Sequence, residues 1–200
     1  MSRRAETDHP IHDIVAERWS PCGFAETPVP AEDLRALFEA ARWAASAYNE
    51  QPWRYIVASR NDSAAFDKLL SCLVEGNQPW ARFAPVLILG IARKTFSRDG
   101  SANRTALHDL GAASASLTFE AGARGLLVHQ MSGIHPEKAR TLYEIPEDFE
   151  VVTALAVGYA GTPAGLSEAY RSRDAAPRRR KPVRELVFAD HWDRPWDETA

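Results

Sequence analysis

The sequence predicts one α+β domain, α/β-like in the alternation of its elements, built around a single sheet. Three observations carry that prediction. Segments of helical period alternate with short runs rich in β-branched and aromatic residues. The 200 residues suit one compact domain with a sizeable core. The composition, 45% hydrophobic and 26% charged, is that of a globular chain rather than a disordered one. No internal repeat or long linker divides it. Residues 1–10 read as a flexible N-terminal arm and residues 11–200 as the domain.

The elements follow in order. Residues 12–18 (HDIVAER) read as a short helix with Ile14 and Val15 facing inward. In TPVPAEDLRALFEAARWAA, Pro30 suits a first helical turn and Glu32 and Asp33 suit the positive end of the helix dipole. Leu34, Leu37, Phe38 and Ala41 recur there at helical spacing. WRYIVAS, residues 53–59, reads as a strand. Asp62 or Ser63 caps a helix that runs through Leu73. Residues 84–92 (APVLILGIA) read as a buried strand. Residues 104–125 hold the longest helical pattern, with Leu107, Leu110, Leu117 and Ala121 on one face. Its small residues at 111–116 predict a crowded core position or a subunit interface, because small side chains shorten the distance between packed helices. LLVHQM and EVVTALAVG read as further strands, and Pro136 opens a short helix to Tyr143. The last forty residues promise little regular structure before VRELVF.

Several function classes recede. A net charge of −3 does not advertise a nucleic-acid partner. Cys22 and Cys72 stand fifty positions apart, which makes neither a metal knuckle nor a CxxC pair and fits a reducing cytosol. The N-terminal residues carry no apolar stretch of a secretion signal, and the longest apolar run, residues 83–92, is about half a membrane span. The expected location is cytoplasmic, with no membrane partner. GxGxxG and GxxxxGK[ST] are both absent, which removes the usual dinucleotide and P-loop readings. No two histidines have metal-ligand spacing on a helix. His108, His129 and His135 read as surface or hydrogen-bonded residues.

Three segments hold more chemistry. ERWSPCGF places Arg18 and Ser20 at the end of a short helix. AASAYNEQPWRYIVAS runs from a helix through a polar loop into a strand, and Ser46, Asn49 and Gln51 offer a hydroxyl and two amides there. Amides donate and accept together, which suits a ring edge with alternating N–H and C=O groups. APRRRKPVRELVF gathers Arg178, Arg179, Arg180 and Lys181, and guanidinium forks suit phosphate. The bland alternatives are a satisfied turn at 46–51 and a solvated basic face at 178–181. A third is an anion- or nucleic-acid-binding unit around residues 171–184, where seven basic residues stand against one acid.

Taken together, these segments resemble the nitroreductase family. SAYNEQPWRY is similar to that family's A-P-S-x-x-N-x-Q-P-W motif and follows a helix that opens PVPAEDL and ends ARWAA. Arg18-Trp19-Ser20-Pro21-Cys22 resembles the N-terminal R-R-S-x-R motif. HDLGAASASLTFEAGARGLL resembles the long small-residue helix, and Gly158-Tyr159-Ala160 and Arg180-Lys181-Pro182 resemble the closing segments. The likeness runs over about residues 11–190. It departs at Trp19, which replaces a basic or histidine residue, at Cys22, where a second Arg or Lys is usual, and at Ala45, which replaces a proline.

The resemblance implies a mixed sheet flanked by helices, an intertwined homodimer, and an FMN in each of two sites between subunits. It implies NADH or NADPH as hydride donor and a small electron-poor acceptor such as a nitroaromatic or quinone. Arg18, Trp19 and Ser20 match the segment that holds the FMN phosphate and ring edge. Ser46, Asn49 and Gln51 match positions around the isoalloxazine and ribityl chain, and Asn77 matches an asparagine near the ring. Ser132 and Gly133 match the segment whose backbone N–H reaches the flavin N5, and Arg178 and Arg180 match a C-terminal phosphate clamp. No catalytic acid or base is implied, because the organic chemistry belongs to the flavin. The alternatives are a non-catalytic FMN-binding or sensor protein of the same fold, and a specialised flavin reaction such as reductive dehalogenation.

Overall fold

The structure is a computed structural model that describes residues 3–196, so residues 1 and 2 of the expected arm lie outside the described residues. Four strands form its sheet: Trp53–Ser59 (β1), Val86–Arg93 (β2), Leu127–Met131 (β3) and Phe149–Gly158 (β4). Their order is β1-β2-β4-β3, and every pair is antiparallel. The α+β class is therefore observed. Where the resemblance implies a mixed sheet, the strands that one chain supplies run antiparallel throughout.

β2 lies between β1 and β4 and is buried along nearly its whole length. Val86, Ile88 and Ala92 face one core, together with Leu37, Leu110, Leu117 and Leu155. Leu87, Leu89 and Ile91 face the other, with Phe66, Leu69, Trp80 and Ala154. A strand covered on both sides has no polar face, which is why APVLILGIA reads as a continuous apolar run. The register slips between Gly90 and Ile91, and Val152 of β4 is left as the extra residue. Through that bulge Val151 and Ala154 reach the same core although they are three residues apart.

One face of the sheet carries Ala31–Arg42 (α2) and Ala106–Ala123 (α5). Ala113, Ser114, Leu117, Thr118 and Ala121 of α5 are buried. The polar members of that face satisfy one another: Thr118 Oγ1 donates to Ser114 O at 2.7 Å, and Gln130 Nε2 donates to Thr118 Oγ1 at 3.1 Å. Asp13–Glu17 (α1) crosses α5, with Ile14 in van der Waals range of Gly122. Ser63–Leu70 (α3) begins at Asp62, whose Oδ1 accepts from Ala65 N at 3.0 Å. Gln78–Ala81 (α4), Pro136–Tyr143 (α6) and Glu168–Ala175 (α7) complete the set.

The structure corrects four local expectations. Val15 is 40% exposed, because α1 is barely one turn long and points Ala16 inward instead. Leu107 is 48% exposed; the buried stripe of α5 runs through Ala106, Leu110, Ala113 and Leu117, and Leu107 stands beside it. α3 stops at Leu70 rather than Leu73. The C-terminal stretch contains α7, a helix with no buried residue and so no apolar stripe to reveal it.

Trp80 and His129 stack face to face, centroids 4.3 Å apart, inside the core beneath the Pro21–Cys22 turn. His129 Nδ1 lies 2.7 Å from Pro21 O. A carbonyl only accepts, so Nδ1 bears the proton of the neutral ring. Burial lowers the imidazole pKa, opposed in part by the Pro21 carbonyl. The unfolded chain thus takes up a second ring proton near pH 6.5, while the folded chain takes it up only at lower pH. The stability tied to the neutral ring is present above about pH 6.5 and is lost as pH falls through the folded value. We expect Tm to drop when pH is lowered from about 7.5 to about 5.5, and His129→Gln to flatten that slope. Equal slopes in both proteins would show that the ring does not carry this linkage.

Candidate functional site

α1 ends at Glu17, and Arg18 leaves it in an extended conformation. Its guanidinium is half-buried, with Nη1 3.4 Å from Ser20 Oγ. Trp19 lies beneath the Arg3 guanidinium, 4.7 Å from Cζ to ring centroid. From the far end of the chain Arg178 reaches the same place. Its Nη1 donates to Arg3 O and to Ala16 O, each at 2.6 Å. Arg180 is exposed and donates to Arg179 O. The Arg178 bonds tie the start of the described chain to α1, as does Ala5 N donating to Ala16 O at 2.8 Å.

Three guanidinium groups therefore share one region. Burial lowers the pKa of Arg18, and the charge of Arg180 adds to the effect. Burial likewise lowers Arg178, followed by the charges of Arg18, Arg180 and Arg3. Among the described residues no carboxylate forms an ion pair with Arg18, Arg178 or Arg180, although Arg4 beside them pairs with Asp13 at 2.7 Å. Guanidinium groups held together outside any ion pair suit an anion, and planar forks suit a phosphate. Arg18, Arg178, Arg180 and Lys181 line a groove of about 600 Å³ whose apolar side is Ile11 and Val15, although Glu6 and Asp8 line the same groove. Cys22, which stands where the resembled motif has a second Arg or Lys, brings no cation. Its thiol is fully buried, and burial with Asp174 beside it pushes the pKa up to about 12.

Ser46, Asn49 and Gln51 form a second group. Ser46 Oγ accepts from Gln51 N at 3.0 Å, and Gln51 Nε2 donates to Asn49 O at 2.9 Å. Tyr48, Asn49 and Gln51 all have positive φ, 53°, 56° and 53°. Each non-glycine residue in that region costs about 1 kcal/mol or more, so the loop persists only because its surroundings hold it. The buried carboxylate of Asp109 on α5 accepts from Ala47 N at 3.1 Å. Glu50 accepts from the backbone N–H and hydroxyl of Ser97, and Arg54 donates to Gln51 O. Sequence reading missed Asp109, because the bond joins residues 62 positions apart.

Asn77 and Gly133 form a third group. Asn77 Nδ2 donates to Gly133 O at 3.0 Å, and Val74 N donates to the same oxygen at 3.1 Å. A Cβ at Gly133 would sit 2.5 Å from Asn77 Nδ2 and 2.8 Å from Val74 Cγ2, so only glycine allows this approach. Ser132 beside it is exposed. The structure thus joins Arg18, Trp19 and Ser20 to Arg178 and Arg180, and it joins Asn77 to Gly133. Among the described residues no hydrogen bond links the 46–51 loop to either group.

The nitroreductase family model matches residues 15–81, which span Arg18, the 46–51 loop and Asn77. A Mycolicibacterium smegmatis protein of 15.4 kDa is 34% identical over 149 residues, covering 71% of this chain and 99% of its own length. A Xanthomonas oryzae protein named for an NADH dehydrogenase/NAD(P)H nitroreductase is 30% identical over 162 residues, 72% of this chain and 81% of its own. A crystal structure of an oxidoreductase containing FMN superposes with a TM-score of 0.89 at 33% identity, covering 96% of this chain and 98% of the other. A Clostridium difficile nitroreductase family protein shares the fold, with a TM-score of 0.68 at 22% identity over 89% of this chain and 96% of the other. The chain belongs to the nitroreductase family of oxidoreductases.

Proposed function

We propose that this chain binds FMN and acts in the cytoplasm, as a homodimer, on NADH or NADPH and a small electron-poor acceptor such as a nitroaromatic or a quinone. The observation that carries the reading is the meeting of Arg18, Arg178 and Arg180 with no carboxylate partner among the described residues. That donor set fits a terminal phosphate, and the chain lacks a dinucleotide fingerprint, which favours FMN over FAD. The likeness to an oxidoreductase containing FMN, over 96% of this chain, supports the same cofactor. FMN, when bound, supplies a two-electron carrier between nicotinamide and acceptor.

The chain's own residues then have three tasks. Arg18, Arg178 and Arg180 hold the phosphate, with Ser20 adding a hydroxyl. Asn49 and Gln51 supply amides that match a ring edge, and donors at such an edge stabilise negative charge that develops during reduction. Asn77 and the Ser132–Gly133 turn offer an amide and a close backbone approach. No side chain in these groups need carry a proton for the reaction, so none is assigned as a catalytic acid or base.

The dimer is supported by what one chain leaves uncovered. Leu107 and Gly111 on α5 are exposed, and nothing lies within 4 Å of a Cβ built at Gly111. Val183, Leu186, Val187 and Trp192 are exposed as well. A partner subunit would cover such apolar groups.

Three outcomes are expected. The purified protein, saturated with flavin, is yellow, releases FMN on acid treatment, and oxidises NADH or NADPH rapidly once a quinone or nitro compound is added. FAD in the released fraction contradicts the cofactor, and a flavin that nicotinamide cannot reduce points to the sensor alternative. Arg18→Ala and Arg178→Ala each weaken FMN binding by about tenfold to a hundredfold, since each removes a charge-assisted bond, while Arg35→Ala on exposed α2 leaves it unchanged. Equal small effects at all three positions would reduce the cluster to a generic basic patch. Light scattering gives a dimer mass; a monomer that binds FMN tightly would overturn the assembly.

A further inference from the structure

The two halves of the cationic cluster come from opposite ends of the chain, and one carboxylate spans them. Asp174 lies in the last turn of α7, four residues before Arg178. Its Oδ1 accepts from Cys22 N at 2.8 Å, and its Oδ2 accepts from Cys22 N at 3.0 Å and Gly23 N at 2.8 Å. Two successive backbone N–H groups thus close on a carboxylate 152 and 151 positions away. The turn they belong to follows directly on Arg18 and Ser20.

The turn is also fixed from its other side. Gly161 N donates to Gly23 O at 3.2 Å, and a Cβ at Gly23 would collide with Gly161 O. His129 Nδ1 donates to Pro21 O, and the ring is held by Trp80. Asp174 is the only member of this frame that belongs to the segment carrying Arg178. Its ionised form accepts only, and two amide donors with bonds of 2.8–3.0 Å match it.

We infer that Asp174 is a positioning residue for the phosphate clamp, locking the turn after Arg18 and Ser20 to the helix that presents Arg178. The inference rests on the FMN reading above. Asp174 does not touch the ligand; it sets the distance between guanidinium groups that would otherwise repel each other apart. It also lines the same groove wall as Arg178 and Trp19, so its negative charge lies close to the anion site.

That proximity gives the test a sign. Electrostatics alone predicts that removing a carboxylate beside an anion site tightens FMN. Positioning predicts that FMN is weakened, and that riboflavin, which lacks the phosphate, is not. Affinities for FMN and for riboflavin are measured by flavin fluorescence quenching on the full-length apoprotein, for wild type, Asp174→Ala, Asp174→Asn and Arg178→Ala. We expect Asp174→Ala to weaken FMN by about tenfold while riboflavin stays within about twofold. Asp174→Asn keeps one carbonyl acceptor for the turn and falls between; it decides the matter if the alanine variant does not fold. Unchanged or tighter FMN, or equal loss of FMN and riboflavin in a folded variant, overturns the inference. If Arg178→Ala loses FMN selectively and the Asp174 variants do not, the positioning role alone fails. If no variant separates FMN from riboflavin, the clamp itself is wrong.

Discussion

Burial of β2 on both faces is the constraint on which the rest of the structure depends. A central strand without a polar side needs a layer on each side, and the chain supplies two cores of different build. On one side α3 and α4 bring large side chains, Phe66, Leu69 and Trp80, and α6 adds Ala139. On the other, α2 and α5 pack closely, and α5 uses small residues where the sheet is near. Two pieces of the candidate site hang from α5. Asp109 holds the start of the 46–51 loop, and Gly122 seats Ile14 of the helix that precedes Arg18. Interior packing tolerates little displacement, so both pieces inherit the precision of the core.

Polar groups in this protein are spent where the chain must hold an unfavourable arrangement. Arg18 and Arg178 are partly buried like charges, and the lowering of both pKa values by burial and by neighbouring guanidinium groups records the cost. Neutral carbonyls of Arg3 and Ala16 hold Arg178 in place without cancelling its charge. The 46–51 loop stores a different strain, three left-handed non-glycine residues, and is pinned by Asp109, Glu50 and Arg54. On the proposed function, the strained loop and the clustered guanidinium groups are places where ligand affinity is favoured over stability.

Much of this was legible in the sequence, and what was not had a physical reason. β1 and α6 read to the residue, because WRYIVAS is rich in aromatic and β-branched residues and Pro136 marks a first helical turn. β2, β3 and β4 were found to within two residues by their apolar runs. α7 was invisible, because a helix that buries nothing has no periodic signal, and the residue that makes it matter, Asp174, works through bonds across more than 150 positions. Val15 and Leu107 were misplaced for the opposite reason: apolar periodicity names a stripe only to within one residue on each side, and neighbours decide which edge is covered. At the site, side-chain types suggested ligands, but the supporting residues Asp109, His129 and Asp174 look ordinary in sequence and gain meaning only from what they touch.

The separation of the site into pieces has a consequence for assembly. Arg178 is bound to α1, beside Arg18 and Ser20, while the loop of Ser46, Asn49 and Gln51 is bound through Ala47 to α5 and through Glu50 to the Ser97 turn. Among the described residues no hydrogen bond joins the two sets, and the grooves that hold the guanidinium groups have no lining residue from the loop. A flavin needs its phosphate and its ring held at once. In the proposed homodimer the loop of one subunit lies free to serve the clamp of its partner. Exposed apolar groups on α5 and beyond Val183 give such a pairing the surface it requires. On that reading dimerisation is part of cofactor binding. Each stabilises the other through mass action, because a ligand bound only by the assembled state shifts the equilibrium toward it.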